Sequence, residues 1–215
     1  MSSAAVIFDW DGVLADSAAM YMNLYVEVAA RFGKSAPATT LAAFREWYDP
    51  RWERNFISLG ITGDDLRAAI RMGLGKVRYD RVALFPEVPD LLRRLAADHA
   101  LGIASTTPEP RILEKLETEG LAGLFRIVRG AGADGSDKTA IVGEALAVLG
   151  AGPRRTVVVG DTTADFEAAA RWGLPAIGVT YGWMSRPRLE AAKPARLIDR
   201  PADLEPAVRS VLAGR

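Results

Sequence analysis

Residues 4–12 carry the sequence AAVIFDWDG, in which five apolar residues run directly into an acidic pair that flanks a tryptophan. A short apolar run that ends in polar residues and a glycine is typical of a buried strand that opens into a loop. No basic segment precedes this run, and its apolar character stops at Asp9, so it does not resemble a targeting signal. The sequence therefore predicts a strand over residues 4–8.

From Val82 onward the chain alternates between strand patterns and helix patterns. The predicted strands are 100–104, 125–128, 156–159, 176–179 and 196–198, and the predicted helices are 90–98, 109–119, 138–149, 164–172 and 202–212. This alternation is typical of a parallel sheet wrapped by helices. We therefore predict an α/β fold with a Rossmann-like parallel sheet.

The segment between these two regions carries helical patterns only. They lie around residues 16–32, 41–48, 51–59 and 64–79. We therefore predict an inserted α-helical cap domain over residues 17–82, and an α/β core domain formed by 1–16 and 83–215. The aromatic residues of the insert have helical spacing, which favours packing inside the cap over contact with a substrate; they are Trp47, Tyr48, Trp52 and Phe56.

Composition excludes several kinds of chemistry. The 215 residues include 27 Lys and Arg against 27 Asp and Glu, which argues against a nucleic-acid partner. The chain has no cysteine and a single histidine, His99, so disulfides, thiolate zinc sites and multi-histidine catalysis are excluded. No run of 18 apolar residues occurs, so we expect no membrane span and a cytoplasmic location.

Polar side chains stand where the predicted strands end. They are Asp9 and Asp11 after the first strand, Ser105 and Thr106 after the second, Lys138 at a helix start, and Asp161 and Asp165 after the fourth. Ligands of open parallel sheets bind beyond the carboxyl ends of the strands, so these groups are expected to converge. Clustered carboxylates repel one another unless a cation neutralises them, and Mg²⁺ is the natural one.

Two motifs in this order carry a resemblance to a known family. The first is Asp9-x-Asp11-Gly12-x-Leu14-x-Asp16-Ser17, and the second is Gly160-Asp161-x-x-x-Asp165. Together they resemble the haloacid dehalogenase superfamily, in its phosphatase branch with a small helical cap, and phosphoglycolate phosphatase-like enzymes in particular. The resemblance implies Mg²⁺-dependent hydrolysis of a small phosphomonoester.

The same resemblance implies a role for each site residue. Asp9 becomes an aspartyl phosphate, and Asp11 protonates the leaving alkoxide and later activates water. Ser105 and Lys138 hold the transferring phosphoryl group, and Gly12 and Thr106 complete the phosphate-binding set. The metal set is Asp9, Asp11 through its backbone carbonyl, Asp161, and Asp165, which supports the metal shell or Lys138. Simpler interpretations stay open: Ser105 as a helix cap and Asp165 as a favourable first-turn acid.

Other functions remain as alternatives. Val13 stands where simple phosphatases of the superfamily usually carry Thr, and Val occurs there in sugar-phosphate mutases. A mutase would need a second, basic phosphate site in the cap, for which Arg45, Arg51 and Arg54 are candidates. A non-enzymatic phospho-accepting switch domain is the third interpretation. The Gly-rich run 132–139 approaches a Walker A loop, but Asp137 replaces the glycine before the lysine and would repel phosphates.

Overall fold

The computed structural model describes residues 4–131 and 137–214. Six strands form one sheet in the order β3-β2-β1-β4-β5-β6, and every neighbouring pair is parallel. The strands are β1 Ala4–Phe8, β2 His99–Pro108, β3 Phe125–Ala131, β4 Thr156–Gly160, β5 Ala176–Val179 and β6 Arg196–Ile198. The predicted parallel α/β sheet is therefore confirmed.

Ten α-helices accompany these strands in the described ranges. They are α1 Ala18–Arg31, α2 Leu41–Trp47, α3 Trp52–Ser58, α4 Gly63–Lys76, α5 Val88–Asp98, α6 Glu109–Thr118, α7 Lys138–Leu149, α8 Thr163–Arg171, α9 Arg186–Ala191 and α10 Leu204–Ala213. The short helix α9 was not predicted. The glycine-rich approach to Lys138, residues 132–136, lies outside the described residues.

Alternate side chains of the central strand feed two separate cores. Val6 and Phe8 belong to a buried cluster that includes side chains of α5, α6 and α10. Ala5 and Ile7 belong to a second cluster with side chains of α7 and α8. Because successive side chains of a strand point to opposite faces, both faces of the sheet are covered.

The strand register brings the candidate site residues to the same end of the sheet. Phe8, the last residue of β1, lies opposite Ile103 of β2 and Val159 of β4. The backbone N–H of Asp9 then donates to the carbonyl of Val159 at 2.9 Å. The residues that follow these three positions therefore meet at one edge of the sheet.

Helices α1–α4 all lie between β1 and α5 and share a buried aromatic cluster. Tyr48 and Phe56 are buried in it, and Trp47 and Trp52 pack against it. Tyr48 and Phe56 therefore lie in the interior of the insert, whereas Trp47 and Trp52 are only partly buried. Trp183, from the loop after β5, joins the same cluster and ties the insert to the sheet. The exact division into two domains stays a prediction.

The two connections to the insert run side by side. Asp16 donates its backbone N–H to the carbonyl of Ala83 at 2.8 Å, and Phe85 donates to the carbonyl of Leu14 at 3.0 Å. The chain thus leaves the sheet and returns to it at neighbouring points. Within the described ranges, every helix is too short or too polar to cross a bilayer.

Candidate active site

Asp9 and Lys138 form the centre of the site. The Lys138 ammonium lies 2.6 Å from Oδ1 of Asp9 and 2.8 Å from Oδ1 of Asp165, and all three side chains are largely or wholly buried. Lys138 is the first residue of α7, where the helix dipole alone would disfavour a cation. The two carboxylates supply the compensating negative charge.

Asp165 is held in place by the start of α8. Its Oδ2 accepts hydrogen bonds from the backbone N–H of Thr162 at 3.1 Å and from the Thr162 hydroxyl at 2.8 Å. This is a capping box, in which the residue before the helix and the third helical residue satisfy each other's end groups. Asp165 is thus a first-turn acid, as the simpler interpretation has it, and also a partner of Lys138.

Asp161 is fixed by a residue that is distant in sequence. The backbone N–H of Trp183 donates to its Oδ2 at 2.7 Å. Its other oxygen, Oδ1, is buried and has no hydrogen-bond partner in the part of the chain that the structure describes. A buried oxygen without a partner is costly, so Asp161 presents a vacant acceptor toward the site.

The donor set fits a hard divalent cation. Carboxylate oxygens of Asp9, Asp161 and Asp165 all lie within 4.8 Å of one another, and one lysine faces these three acids. Oxygen ligands and an excess of negative charge are what Mg²⁺ prefers in proteins. Oδ2 of Asp165 accepts from Thr162, whereas its Oδ1 is ion-paired with Lys138 and, like Oδ1 of Asp161, is buried without a hydrogen-bond partner among the described residues.

Burial and neighbouring charges shift the pKa values of these groups. Burial raises the pKa of Asp9 to about 7, against an opposing effect of Lys138. Burial, and then the charges of Asp9 and Asp165, raises the pKa of Asp161 well above its usual range. Burial favours the neutral amine of Lys138, but the ion pairs with Asp165 and Asp9 outweigh it and raise its pKa.

Asp11 stands apart from this cluster. The Thr107 hydroxyl donates a short hydrogen bond to its Oδ2, while Oδ1 is buried without a partner among the described residues. Burial raises the pKa of Asp11, and the nearby hydroxyls of Ser17 and Thr107 limit the rise. The Asp11 carboxyl therefore keeps one oxygen without a hydrogen-bond partner among the described residues.

The predicted phosphate-binding residues surround the same space. Ser105 and Thr106 lie within β2, which runs to Pro108, four residues beyond the predicted strand end. Buried Ser105 accepts the Thr107 backbone N–H at 3.1 Å on its hydroxyl oxygen, so it does not cap α6. Gly12 has a φ of +77°, and a Cβ there would collide with Oδ2 of Asp161 and with the Trp183 ring.

A cleft of about 1400 Å³ opens between the sheet edge and the insert. Asp9, Asp11 and Lys138 line its floor. The insert contributes mainly aromatic and aliphatic side chains, namely Tyr21, Tyr25, Tyr48, Trp52, Ile57, Ile70, Leu74, Val77 and Tyr79. The insert also contributes the charged residues Asp49, Arg51, Glu53 and Arg54, so its side of the cleft is part apolar and part charged.

The three cap arginines differ in what they contact. Arg45 donates from Nε to the carbonyl of Gly182 and from Nη2 to the carbonyl of Tyr181, each at 2.7 Å. Arg51 and Arg54 line the cleft and lie 3.5 and 3.8 Å from the carboxylate of Asp49. The structure does not bring the three guanidinium groups to one binding point.

Thr107 and Trp183 were not among the predicted site residues. Thr107 belongs to the run of hydroxyl residues Ser105–Thr107 at the end of β2. Its position in this run could therefore have indicated a site residue. Trp183 acts through its backbone N–H, 22 residues after Asp161, and no side-chain pattern in the sequence reveals such a contact.

A comparison with protein-family models identifies the family of this chain. The family model described as haloacid dehalogenase-like hydrolase matches residues 6–179. A phosphoglycolate phosphatase of Synechococcus elongatus is 32% identical, with 97% of this chain and 98% of that protein covered. The tyrosine-protein kinase PtkA of Mycobacterium tuberculosis is 29% identical, with 85% of this chain and 64% of that protein covered.

Solved structures share the fold. A haloacid dehalogenase-like family hydrolase of Streptococcus pneumoniae superposes with a TM-score of 0.84 at 22% identity, covering 96% of this chain and 98% of that one. At this level of identity the likeness shows the fold alone, and it extends over 96% of this chain.

Proposed function

Because this chain belongs to the haloacid dehalogenase-like hydrolases and acts on phosphate esters, we propose that it hydrolyses a small phosphomonoester through an aspartyl phosphate on Asp9. One observation carries the proposal. A buried carboxylate, paired with a buried lysine, stands at the floor of a cleft beside a second carboxylate that has a vacant oxygen. This arrangement offers a nucleophile together with groups that offset phosphate charge.

The first step transfers the phosphoryl group. An Asp9 oxygen attacks phosphorus, the bond from phosphorus to the ester oxygen breaks, and Asp11 gives its proton to the leaving oxygen. The raised pKa of Asp11 favours the protonated form that this step needs. Lys138 and Ser105 hold the phosphoryl oxygens during the transfer.

The second step regenerates the enzyme. Asp11, now ionised, takes a proton from water, whose oxygen attacks phosphorus and displaces the Asp9 carboxylate. The products are the alcohol and inorganic phosphate, and both aspartates return to their starting states. Splitting one difficult displacement into two in this way is the usual benefit of covalent catalysis.

Mg²⁺ is the proposed cofactor, held by the Asp9 carboxylate, the Asp11 backbone carbonyl and Asp161. When bound, it would neutralise the charge that otherwise keeps a carboxylate away from a phosphate dianion. Lys138 contributes one positive charge against three carboxylates, so this chain's own residues leave the cluster negative.

The substrate belongs to the same proposal. The Synechococcus relative is a phosphoglycolate phosphatase, so 2-phosphoglycolate is the first compound to test. The insert, taken as a cap over residues 17–82, covers the cleft and excludes water during transfer. The cytoplasmic location stays a prediction from the sequence.

The arrangement of the arginines disfavours the mutase alternative. The Arg45 guanidinium is engaged by two backbone carbonyls, and Arg51 and Arg54 share one carboxylate. A mutase would require a bisphosphate activator and return a phosphorylated isomer. A phospho-accepting switch would keep its phosphoryl group and would not release inorganic phosphate with turnover.

A phosphate-release assay tests the proposal. The full chain, with a panel of phosphomonoesters that includes 2-phosphoglycolate, should release inorganic phosphate with Mg²⁺ and much less after chelation. Asp9→Asn keeps the shape and removes the nucleophile, so turnover should fall to background while the fold persists.

A matched control and a contrary result complete the test. Asp64→Asn changes an exposed carboxylate in α4 and should leave turnover unchanged. If Asp9→Asn keeps more than a few per cent of the activity, the covalent mechanism is wrong.

A further inference from the structure

We infer that Arg45 of the insert is a positioning residue for Asp161, and that it thereby sets the affinity of the site for a divalent cation. The inference rests on the proposed metal site and concerns how that site is held. The link between the two residues is the loop segment 181–185, which follows β5 and which we term the bridging segment.

The Arg45 side chain, which belongs to the insert, donates hydrogen bonds to the bridging segment. Its Nε and Nη2 donate to the carbonyls of Gly182 and Tyr181, each at 2.7 Å. These short, charge-assisted bonds fix two consecutive peptide groups. Arg45 is not among the residues that line the cleft, so its charge serves the backbone and not a substrate.

The next residue along the bridging segment holds the candidate metal ligand. The Trp183 N–H donates to Oδ2 of Asp161 at 2.7 Å, which leaves Oδ1 as the oxygen without a partner. A Cβ on Gly182 would collide with the Asp161 side chain, so the backbone lies directly against it. A shift of this backbone must therefore move the Asp161 carboxylate.

A second arginine, Arg188, links the sheet region back to the backbone of the insert. Nη1 of Arg188, in α9, donates to three carbonyls near the end of α2, with distances of 2.7 to 3.1 Å; they belong to Arg45, Glu46 and Tyr48. Ser185 of the bridging segment donates its backbone N–H to the same Arg45 carbonyl at 3.2 Å. Arg45 is therefore held at its backbone while its side chain holds the segment.

Trp183 adds an apolar contact to this connection. Its ring centroid lies 4.4 Å from that of Tyr21 and 4.8 Å from that of Tyr48, and its indole N–H donates to Ser17 at 3.2 Å. A displacement of α2 would thus break polar and apolar contacts together. Binding free energies couple reciprocally, so a cation that favours this Asp161 position also favours this position of the insert.

Calorimetry with Mn²⁺ as the probe tests the inference without relying on turnover. The full chain and Arg45→Ala are titrated with Mn²⁺, and the variant should bind about tenfold more weakly, as when a partner that orients a metal ligand is lost. Millimolar guanidinium should restore part of the affinity to Arg45→Ala. A role confined to overall stability would not produce that rescue.

Hydrogen exchange of the metal-free protein gives a second readout. In Arg45→Ala the amide of Trp183 should exchange faster, because the bond to Asp161 is no longer supported. Arg67→Ala removes an exposed arginine of α4 that pairs with Asp64. This control should leave the Mn²⁺ affinity and the Trp183 exchange unchanged.

Each contrary result has a distinct meaning. If Arg45→Ala folds and binds Mn²⁺ as tightly as the unchanged chain, the inference is overturned and the metal site stands. If Arg45→Ala does not fold, Arg45→Lys takes its place; intermediate affinity supports the inference, and unchanged affinity overturns it. If the unchanged chain binds no Mn²⁺, the proposed metal site fails and the inference falls with it.

Discussion

At the scale of single residues, Thr107 determines which oxygen of Asp11 is free. Its hydroxyl donates to Oδ2, and Oδ1 has no hydrogen-bond partner in the described ranges. A proton on the Asp11 carboxyl is therefore expected on Oδ1, the oxygen that Thr107 does not engage. A hydroxyl with no charge of its own thus orients a proposed acid without changing the charge of the site.

Replacing Thr107 should slow protonation of the leaving group. Thr107→Val removes the hydroxyl at similar volume, and we expect turnover of an alkyl phosphate to fall about tenfold, a part of the 10²–10⁴ that acid–base catalysis supplies. An aryl phosphate should lose less, because its leaving group needs less protonation. Single-turnover assays of both esters measure the difference.

Thr107→Ser is the matched control, since it keeps the hydroxyl and should keep most of the activity. Equal losses for the alkyl and aryl esters in Thr107→Val would contradict the orienting role.

At the scale of elements, the turn after β1 is shaped by the side chain that it must accommodate. Gly12 adopts a φ of +77°, which favours glycine, and its missing side chain makes room for the Asp161 carboxylate and the Trp183 ring. Glycine is therefore required at position 12 both by the positive φ and by the closeness of Asp161 and Trp183.

Gly12→Ala should weaken both the fold and the site. A left-handed non-glycine residue costs roughly 1 kcal/mol or more of unfolding free energy, and the added methyl group also displaces Asp161. We expect a clear loss of Mn²⁺ affinity in calorimetry and a lower melting temperature.

Gly33→Ala separates these two effects. Gly33 has a φ of +65° and no atom within 4 Å of an added Cβ. It should lose stability through backbone strain and keep its Mn²⁺ affinity. If both variants bind Mn²⁺ normally, the crowding around Asp161 does not matter to the site.

The elements also show what the sequence could predict. Short apolar runs and strand–helix alternation were sufficient to predict the sheet, because burial on both faces of the strands leaves a strong pattern. Helix α9 was missed because six residues with a proline near the start carry too little periodicity. The contact of Trp183 with Asp161 was missed for a different reason, since a backbone N–H has the same chemistry at every non-proline residue.

At the scale of the whole molecule, the buried acids make stability depend on pH. The Asp9 carboxyl has an ordinary pKa of 3.8 in an unfolded chain and a pKa of about 7 when folded, and the pKa of Asp161 is raised as well. The folded state therefore holds more protons than the unfolded state between these values. The contribution of these carboxyl groups to the free energy of unfolding is greatest at low pH and is lost as the pH rises through about 7.

Urea unfolding of the metal-free protein should show this trend. The unfolding free energy should fall between pH 5.5 and pH 8, and added Mg²⁺ should reduce the fall by favouring the ionised acids in the folded state. Asp9→Asn removes one of the shifted groups and should flatten the pH dependence. A stability that rises with pH in the metal-free protein would contradict the assignment of these pKa shifts.

The strand order also has a consequence for how the chain is made. β1 precedes the other five strands of the sheet along the chain, yet its partners in the sheet begin at His99 and Thr156. At 5–20 residues per second, about 8–30 s pass between the synthesis of β1 and that of β4, its second neighbour. Through that interval the apolar side chains on both faces of β1 lack many of the side chains that bury them in the folded protein. The candidate site itself assembles only after Trp183 has been synthesised, so a growing chain carries its aspartates long before they can meet.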